Sequence, residues 1–248
     1  MKLSQAMFPV LGLVSGLAFC SASMAETIRL PLHDIAGLRL HNTEVRVVDF
    51  KGRRGLEVAV SAESQAELAE LRRQQARSEQ QQTPPVRLDH LVVVTDHFHD
   101  GTIELELAGQ PAPGAAGGAR GFVGIAFRIQ EALETYECIY LRPTNGRAAD
   151  QERRNHSVQY VSHPDYPWHR LRRETPSRYE SYVDLEPAEW IDVKIVVAGS
   201  TARLFVHGNE QPTLIVSDLK LGADASGPVA LWIEGSTIAH FRNLRVTR

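Results

Sequence analysis

The feature that most constrains the fold is a series of short segments in which every second residue is apolar. In residues 121–129, Val123, Ile125 and Phe127 alternate with small or polar residues. Successive side chains of a strand point to opposite faces, so this pattern predicts a strand with one face in a core. Similar segments occur at residues 191–197, 202–206, 214–216, 229–233 and 238–246. Turn residues separate them at short intervals, which is typical of an antiparallel β-sandwich.

The amino-terminal half continues the same pattern and extends the predicted sandwich. Short strands are predicted at residues 27–32, 44–50, 55–60, 86–95, 102–107 and 135–142. We therefore predict an all-β fold with a single domain at residues 26–248. The residues expected in its core are Val123, Ile125, Phe127, Ile195, Val197, Leu204, Leu231 and Ile233.

The predicted strand at residues 135–142 has two possible orientations. Either its aliphatic residues face the core, or its two tyrosines and Cys138 do. The first orientation also buries Glu137, and a buried acid requires a partner. Arg128 and Arg142 are the candidate partners.

The first 25 residues have the form of a secretory signal peptide. Lys2 supplies a positive charge, residues 6–19 are apolar, and small residues precede the expected cleavage after Ala25. An alternative is lipoprotein processing at Cys20, but Phe19 stands where that signal requires a small residue. We therefore expect a secreted or periplasmic protein with no transmembrane segment in the mature chain.

Charge and cysteine content narrow the functional classes. The formal net charge of −3 predicts no nucleic-acid partner. Cys138 would be the single cysteine after cleavage, and we expect it to be a small buried residue and not a nucleophile. His97 and His99 share a face of an extended chain and are an alternative metal site, although loop histidines are more often solvated. No metal or other cofactor is therefore predicted.

Residues 61–82 interrupt the strands with a helical pattern. They contain helix formers and a capping-box pair, Ser64 and Glu67. Their large apolar residues are Leu68 and Leu71, so this face would bury little surface and a short helical insertion on the surface is expected. The alternative is a helix that binds a protein partner.

Residues 142–182 contain eight arginines, three histidines and five aromatic residues, but three branched aliphatic residues. Such a polar stretch is predicted to lie outside the core as a loop system that faces a ligand, because it is too aromatic for disorder. The expected ligand-binding residues are Arg128, Arg142, Asn145, Arg153, Asn155, His156, Gln159, Tyr160 and Trp168. The alternative is a salt-bridged loop without a function.

Four motifs of the carboxyl-terminal half carry a family resemblance. They are WIDVKI at residues 190–195, the hairpin at 201–209, GPVALW at 227–232 and FRNLRV at 241–246. They resemble the concanavalin A-like lectin/glucanase superfamily, nearest to secreted bacterial laminin-G-like domains and the related 3-keto-disaccharide hydrolase domain. The resemblance implies a jelly-roll β-sandwich whose concave sheet and bordering loops hold a ligand, often a glycan.

The chain departs from the glucanases of that superfamily. These enzymes carry Glu-x-Asp-x-x-Glu on one strand, whereas no glutamate here has an aspartate two residues later. Glu104 and Glu106 share a face but are expected in solvent. The leading hypothesis is a secreted carbohydrate-recognising sandwich with a glycan or other small polar ligand, and Trp232 is a candidate stacking platform. The alternatives are a hydrolase of glycoside or 3-keto-glycoside type, with Glu137 or His156 as acid/base, and a protein-interaction module.

Overall fold

The computed structural model describes residues 26–77 and 87–248. The predicted signal peptide and the end of the predicted helical insertion lie outside these residues. Within them the strands are β1 Thr27–Leu30, β2 Arg39–His41, β3 Thr43–Phe50, β4 Arg53–Val60, β5 His90–Val93, β6 Gly101–Pro111, β7 Val123–Phe127, β8 Tyr136–Leu141, β9 Val158–His163, β10 Glu180–Ser181, β11 Ile191–Ala198, β12 Thr201–Val206, β13 Leu214–Val216, β14 Ala230–Ile233 and β15 Thr237–Thr247. The helices are α1 Ala62–Arg77, α2 Gln151–Asn155, α3 Trp168–Glu174 and a 3-10 turn at Pro143–Asn145.

The strands form two antiparallel sheets. The larger sheet has the order β13-β12-β11-β6-β15-β4-β3, and β1 also pairs with β15. The smaller sheet has the order β10-β9-β8-β7-β14-β5-β2. The predicted all-β antiparallel sandwich is therefore confirmed.

The core lies between the two sheets. All eight residues predicted for it are at most 2% exposed. Phe98 and Phe127 pack edge to face there, with ring centroids 6.4 Å apart. Glu104 and Glu106 lie on the outer face of the larger sheet in ion pairs with arginines. The period-2 alternation thus assigned both the core side and the solvent side of these strands.

The register between β7 and β8 decides the orientation of β8. Ile139 lies opposite Ile125, so the aliphatic residues of β8 face the core and its tyrosines face outward. Glu137 is buried on the core side, where the Tyr160 hydroxyl donates to Oε2 at 2.6 Å and the Leu221 N–H donates to Oε1 at 2.8 Å. Burial raises the pKa of Glu137. Hydrogen bonds from Tyr160, Ser162 and the Leu221 amide and the charge of Arg128 oppose this rise in pKa, so the expected arginine acts through its charge and not through a hydrogen bond.

Arg128 requires a correction, because it lies inside the structure with no exposed surface. It follows the last residue of β7 with a φ of 53°, which turns its side chain away from the ligand-facing side. Its guanidinium donates to the carbonyl oxygens of His99, Gly199 and Gly222 at 2.8–3.0 Å and to Asp100 Oδ1 at 2.9 Å. Arg128 therefore joins three loops at one end of the sandwich and cannot contact an external ligand.

The expectation for residues 142–182 as a loop outside the core was wrong in part. The segment contains β9, which is buried at all six positions and pairs with β8 and β10. Its outward side carries polar residues such as Gln159 and His163, which the rest of the segment covers, since α3 packs against β9. Because this strand is polar on a buried side, its composition does not resemble that of a core strand.

Helix α1 falls within the predicted helical insertion. Leu68 is 6% exposed and Ser64 is 2% exposed, so the helix covers part of the domain. Leu68 lies beside Gly235, at the end of β14. The buried leucine of α1 therefore packs within the domain. The burial of Leu68 disfavours the alternative of a partner-binding helix.

Replacing residues 61–82 by a short Gly-Ser bridge is expected to preserve cooperative unfolding. The helix buries one large leucine, and the length of a surface loop has a small entropic effect. Thermal melts followed by circular dichroism would check this. A broad, non-cooperative transition in the deletion variant would show that α1 is required for the fold.

Candidate functional site

Three aromatic side chains lie in a row on the outer face of the smaller sheet. Tyr140 and Trp232 are both opposite Gly124, so they flank it on the same face. A Cβ at Gly124 would lie 2.5 Å from Tyr140 Cβ, so the glycine is required for this close approach. Tyr140 stacks on Trp232, with centroids 4.9 Å apart, and on Phe122, with centroids 5.4 Å apart. We call Phe122, Tyr140 and Trp232 the aromatic row.

A chain of hydrogen bonds fixes Trp232 of the aromatic row. Trp232 Nε1 donates to the Tyr136 hydroxyl at 3.0 Å, and this hydroxyl donates to Asp89. Arg87 also donates to Asp89, at 2.6 Å. Burial raises the pKa values of Tyr136 and Asp89 and raises that of Tyr140 to about 12. The two tyrosines are therefore neutral at physiological pH.

Trp168 stands at the rim of a cavity beside the aromatic row. It is the first residue of α3, which follows Pro167 and is anchored by Leu171, a residue 2% exposed. Trp168 itself is 41% exposed, and the Arg172 guanidinium lies 4.8 Å from its ring centroid. Trp168 and the aromatic row line a cavity of about 630 Å³. The cavity is therefore lined by the rings of the aromatic row and by the partly exposed ring of Trp168.

Two buried histidines also line this cavity. Burial lowers the pKa of His163 to about 3 and that of His90 to about 4, so both are neutral at physiological pH. His163 Nδ1 and His90 Nε2 have no hydrogen-bond partner among the described residues. Neutral imidazoles of this kind offer hydrogen bonds and not charge to a ligand.

Helix α1 and residues 112–120 lie next to this cavity. They line a further cavity of about 800 Å³. Both cavities are lined by Leu68, Phe122, Trp168, Glu234 and Gly235, so they lie side by side. We call the two together the outer-face groove.

Arg142 is fixed behind the aromatic row. It is 4% exposed and donates to the His156 carbonyl at 2.9 Å, the Tyr140 hydroxyl at 3.0 Å and Gln159 Oε1 at 3.1 Å. Its guanidinium lies 5.1 Å from the Phe122 ring centroid. Arg142 therefore positions the aromatic row, and its donors are taken up by the protein.

A separate cavity of about 600 Å³ lies on the other side of Arg142 and is lined by His156, Glu180 and Arg172. We call it the second cavity. His156 Nδ1 is 3.1 Å from Glu180 Oε2, and Arg172 Nε is 3.1 Å from both carboxylate oxygens. Burial lowers the pKa of His156 more than the nearby Glu180 raises it. A neutral histidine next to a buried carboxylate is a suitable general base.

Among residues 26–77 and 87–248, no three His, Cys, Asp or Glu side chains form a group that could hold a metal ion. His97 is exposed, and His99 Nε2 lies 2.8 Å from the carbonyl oxygen of Ala223. In the same parts of the chain, no helix is both long and apolar enough to cross a membrane.

Comparisons with known proteins identify the fold. No protein-family model matches the chain, and no curated protein does. A carbohydrate-binding module from Bacillus subtilis, CBM66, is similar with a TM-score of 0.52 and 11% identity, over 85% of this chain and 95% of that one. At such identity the similarity concerns the fold alone. It agrees with a jelly-roll sandwich of concanavalin A-like type.

Two further solved structures are similar at lower scores. One is a protein of unknown function with a galectin-like fold from Bacillus subtilis, with a TM-score of 0.48 and 11% identity over 90% of this chain and 97% of that one. The other is domain 4 of AbnA, an extracellular arabinanase from Geobacillus stearothermophilus in complex with arabinotriose. Its TM-score is 0.44 and its identity is 11%, over 88% of this chain and 86% of that one.

The residues expected at the site from the sequence divide into three groups. Trp168 lines the outer-face groove, and Asn155 and His156 line the second cavity. The supporting residues are Arg142, Gln159, Asn145 and Arg153. Gln159 accepts from Arg142, while Asn145 donates to the His156 carbonyl at 3.2 Å and accepts from Arg153 at 3.5 Å. The third group, Arg128, Glu137 and Tyr160, lies in the interior.

Tyr160 and Glu137 need a physical correction as site residues. Both are fully buried on the core side of the smaller sheet, opposite the face that carries the aromatic row. The Tyr160 hydroxyl also accepts the N–H of Lys220 at 2.9 Å. These two side chains therefore anchor the loop after β13 to the sheet, and neither reaches the groove.

The sequence interpretation missed Phe122 and Tyr140 as site residues. The available signal was the alternation of tyrosines with aliphatic residues in β8, which leaves one aromatic side whenever the aliphatic side is buried. Phe122 stacks with Tyr140, and Tyr140 fills the space over Gly124.

Changing Tyr160 to phenylalanine is expected to lower the free energy of unfolding by about 1–3 kcal/mol, because Glu137 Oε2 and the Lys220 N–H would lose a buried partner. Urea denaturation would measure this change. Ligand binding should remain unchanged. A variant of normal stability that no longer binds ligand would instead place Tyr160 in the site.

Proposed function

We propose that this is an exported carbohydrate-binding protein that holds a glycan in the outer-face groove. The observation that carries the proposal is the half-exposed Trp168 at the rim of a cavity lined by three stacked aromatic rings. Aromatic rings stack on the apolar faces of sugars, while a few polar groups fix their orientation. The groove offers both kinds of group.

The polar groups of the groove fit a ligand with many hydroxyl groups. His90 and His163 line the groove as neutral imidazoles. Asp165 and Glu234 supply acceptors on the lining. The similarity to a carbohydrate-binding module supports the same function, and the form of residues 1–25 supports export.

A glycan array probed with residues 26–248 tests the proposal. We expect a defined set of glycans to be retained. Product analysis of each retained glycan after incubation would show whether the protein also cleaves it. An array without any retained glycan would contradict the proposal.

A second candidate is a carbohydrate-active hydrolase that uses the second cavity. The observation that favours it is the contact of 3.1 Å between His156 Nδ1 and the buried Glu180 carboxylate. Here His156 would be the general base beside the Glu180 carboxylate, although its Nδ1 makes no hydrogen bond to that carboxylate in the structure. Turnover that is lost in both His156→Ala and Glu180→Gln, with binding retained, would establish the enzyme. Absence of new products from every retained glycan would exclude it.

A further inference from the structure

Three arginines lie close together where the two parts of the outer-face groove meet. Arg120 lines the groove together with Phe122, and the Arg142 guanidinium lies 5.1 Å from the Phe122 ring centroid. Arg153 is held near Arg142 through Asn145, which donates to the same carbonyl oxygen as Arg142 does. The pKa of Arg120 is lowered, mainly by burial and further by the charges of Arg153 and Arg142. The three positive charges therefore act on one another.

Acidic side chains do not compensate for these charges. Arg142 has Glu180 at 3.6 Å, but Arg172 engages the same carboxylate. Among the described residues, Arg120 and Arg153 form no ion pair. Arg120 donates to two backbone carbonyls, and Arg153 donates to an amide while its Nε is buried without an acceptor.

Some arginines of the same segment do have acidic partners. Arg147 is paired with Asp184 and Glu186, and Arg170 is paired with Glu174. Arg154 and Arg173 resemble Arg120 and Arg153, since they form no ion pair within residues 26–77 and 87–248. Two carboxylates, Glu44 and Glu234, line the same part of the groove as Arg120, and neither forms an ion pair with it; Glu234 accepts from the Ser236 N–H at 3.0 Å. Unpaired guanidinium groups beside a groove attract an oxyanion, which they bind in a bidentate manner.

We propose that the groove binds an anionic glycan and that Arg120 contacts its carboxylate or sulfate group next to Phe122. Arg142 and Arg153 increase the positive potential at this point without having to touch the ligand. This inference rests on the proposed function and specifies its ligand class. The shared chemistry is a sugar with an oxyanion, either a uronate or a sugar sulfate.

Calorimetric titrations with four six-sugar probes test this inference. Oligogalacturonate carries carboxylates, κ-carrageenan oligosaccharide carries sulfates, and cellohexaose and laminarihexaose are neutral. We expect at least one anionic probe to bind more tightly than both neutral ones. Its affinity should fall as salt increases from 0.1 M to 1 M, since the screening length shrinks from about 10 Å to about 3 Å. The anionic probe that binds identifies the source of the oxyanion.

Two variants and a matched control complete the experiment. Arg120→Gln is expected to weaken binding of the anionic probe by about tenfold or more, and Arg153→Gln by a smaller factor. Arg203→Gln removes the same charge from an exposed position on β12 of the other sheet and should leave the affinity unchanged. Thermal melts would verify that each variant is folded.

The outcomes separate this inference from the function on which it rests. Neutral probes that bind as tightly as the anionic ones, or an Arg120→Gln variant that binds like Arg203→Gln, would overturn the anionic ligand and leave glycan binding intact. A protein that binds none of the four probes would overturn this inference, and the glycan array would then decide whether the proposed function falls as well.

Discussion

Replacing Arg128 by methionine is expected to lower the free energy of unfolding by about 3–5 kcal/mol. The guanidinium is fully buried and supplies donors to three backbone carbonyls and to Asp100. Methionine fills much of the volume but has no donor, so three loop carbonyls would lose their partner. Urea denaturation would measure the loss from the transition midpoint and slope.

Arg203→Met is the matched control for this experiment. Arg203 is exposed on β12, so the same substitution is expected to change stability by at most about 0.5 kcal/mol. Glycan binding should be the same in both variants where they are folded. A loss below about 1 kcal/mol in Arg128→Met would contradict the structural role assigned to this residue.

Replacing Trp168 by alanine is expected to weaken glycan binding by about thirtyfold or more, corresponding to at least about 2 kcal/mol. Trp168 is half exposed at the rim of the groove, so its indole ring is available to a ligand. For the same reason its removal should cost little stability, whereas truncation of a core tryptophan costs about 3–5 kcal/mol. Titrations and thermal melts on the same samples would give both quantities.

Trp190→Ala provides the opposite pattern as a control. Trp190 packs against Phe50 on the larger sheet, with ring centroids 5.6 Å apart, and its Nε1 donates to the Phe50 carbonyl. We expect this variant to lose stability and to retain affinity. Unchanged affinity in Trp168→Ala, or a large fall in its melting temperature, would assign Trp168 to the scaffold.

How well each strand could be predicted from the sequence depends on the alternation of apolar and polar residues along it. Val123, Ile125 and Phe127 alternate with small residues, and the alternation alone places them in the core. β9 escaped recognition because both of its sides are buried, one of them with polar residues such as Gln159. The positive φ of Arg128 likewise has no signature in the local sequence.

The candidate site was harder to predict because it is assembled by long-range pairing. Phe122 precedes β7, Tyr140 lies near the end of β8 and Trp232 lies in β14, so that these residues meet only once the sheet order is known. The Arg142 guanidinium lies 5.9 Å from the Trp168 ring centroid, but the two side chains have different roles. Arg142 is buried and positions other groups, while Trp168 is open to a ligand.

The central claim is that a glycan lies on the aromatic row below Trp168, and the three tryptophan side chains report on it directly. The protein contains three tryptophans, of which Trp168 and Trp232 line the groove while Trp190 lies on the other sheet. Nitrogen-15 NMR resolves the indole N–H signal of each. On titration with a glycan retained on the array, the signals of Trp168 and Trp232 should shift together while that of Trp190 stays in place. A saturating glycan that shifts the Trp190 signal alone, or none of the three, would contradict the account.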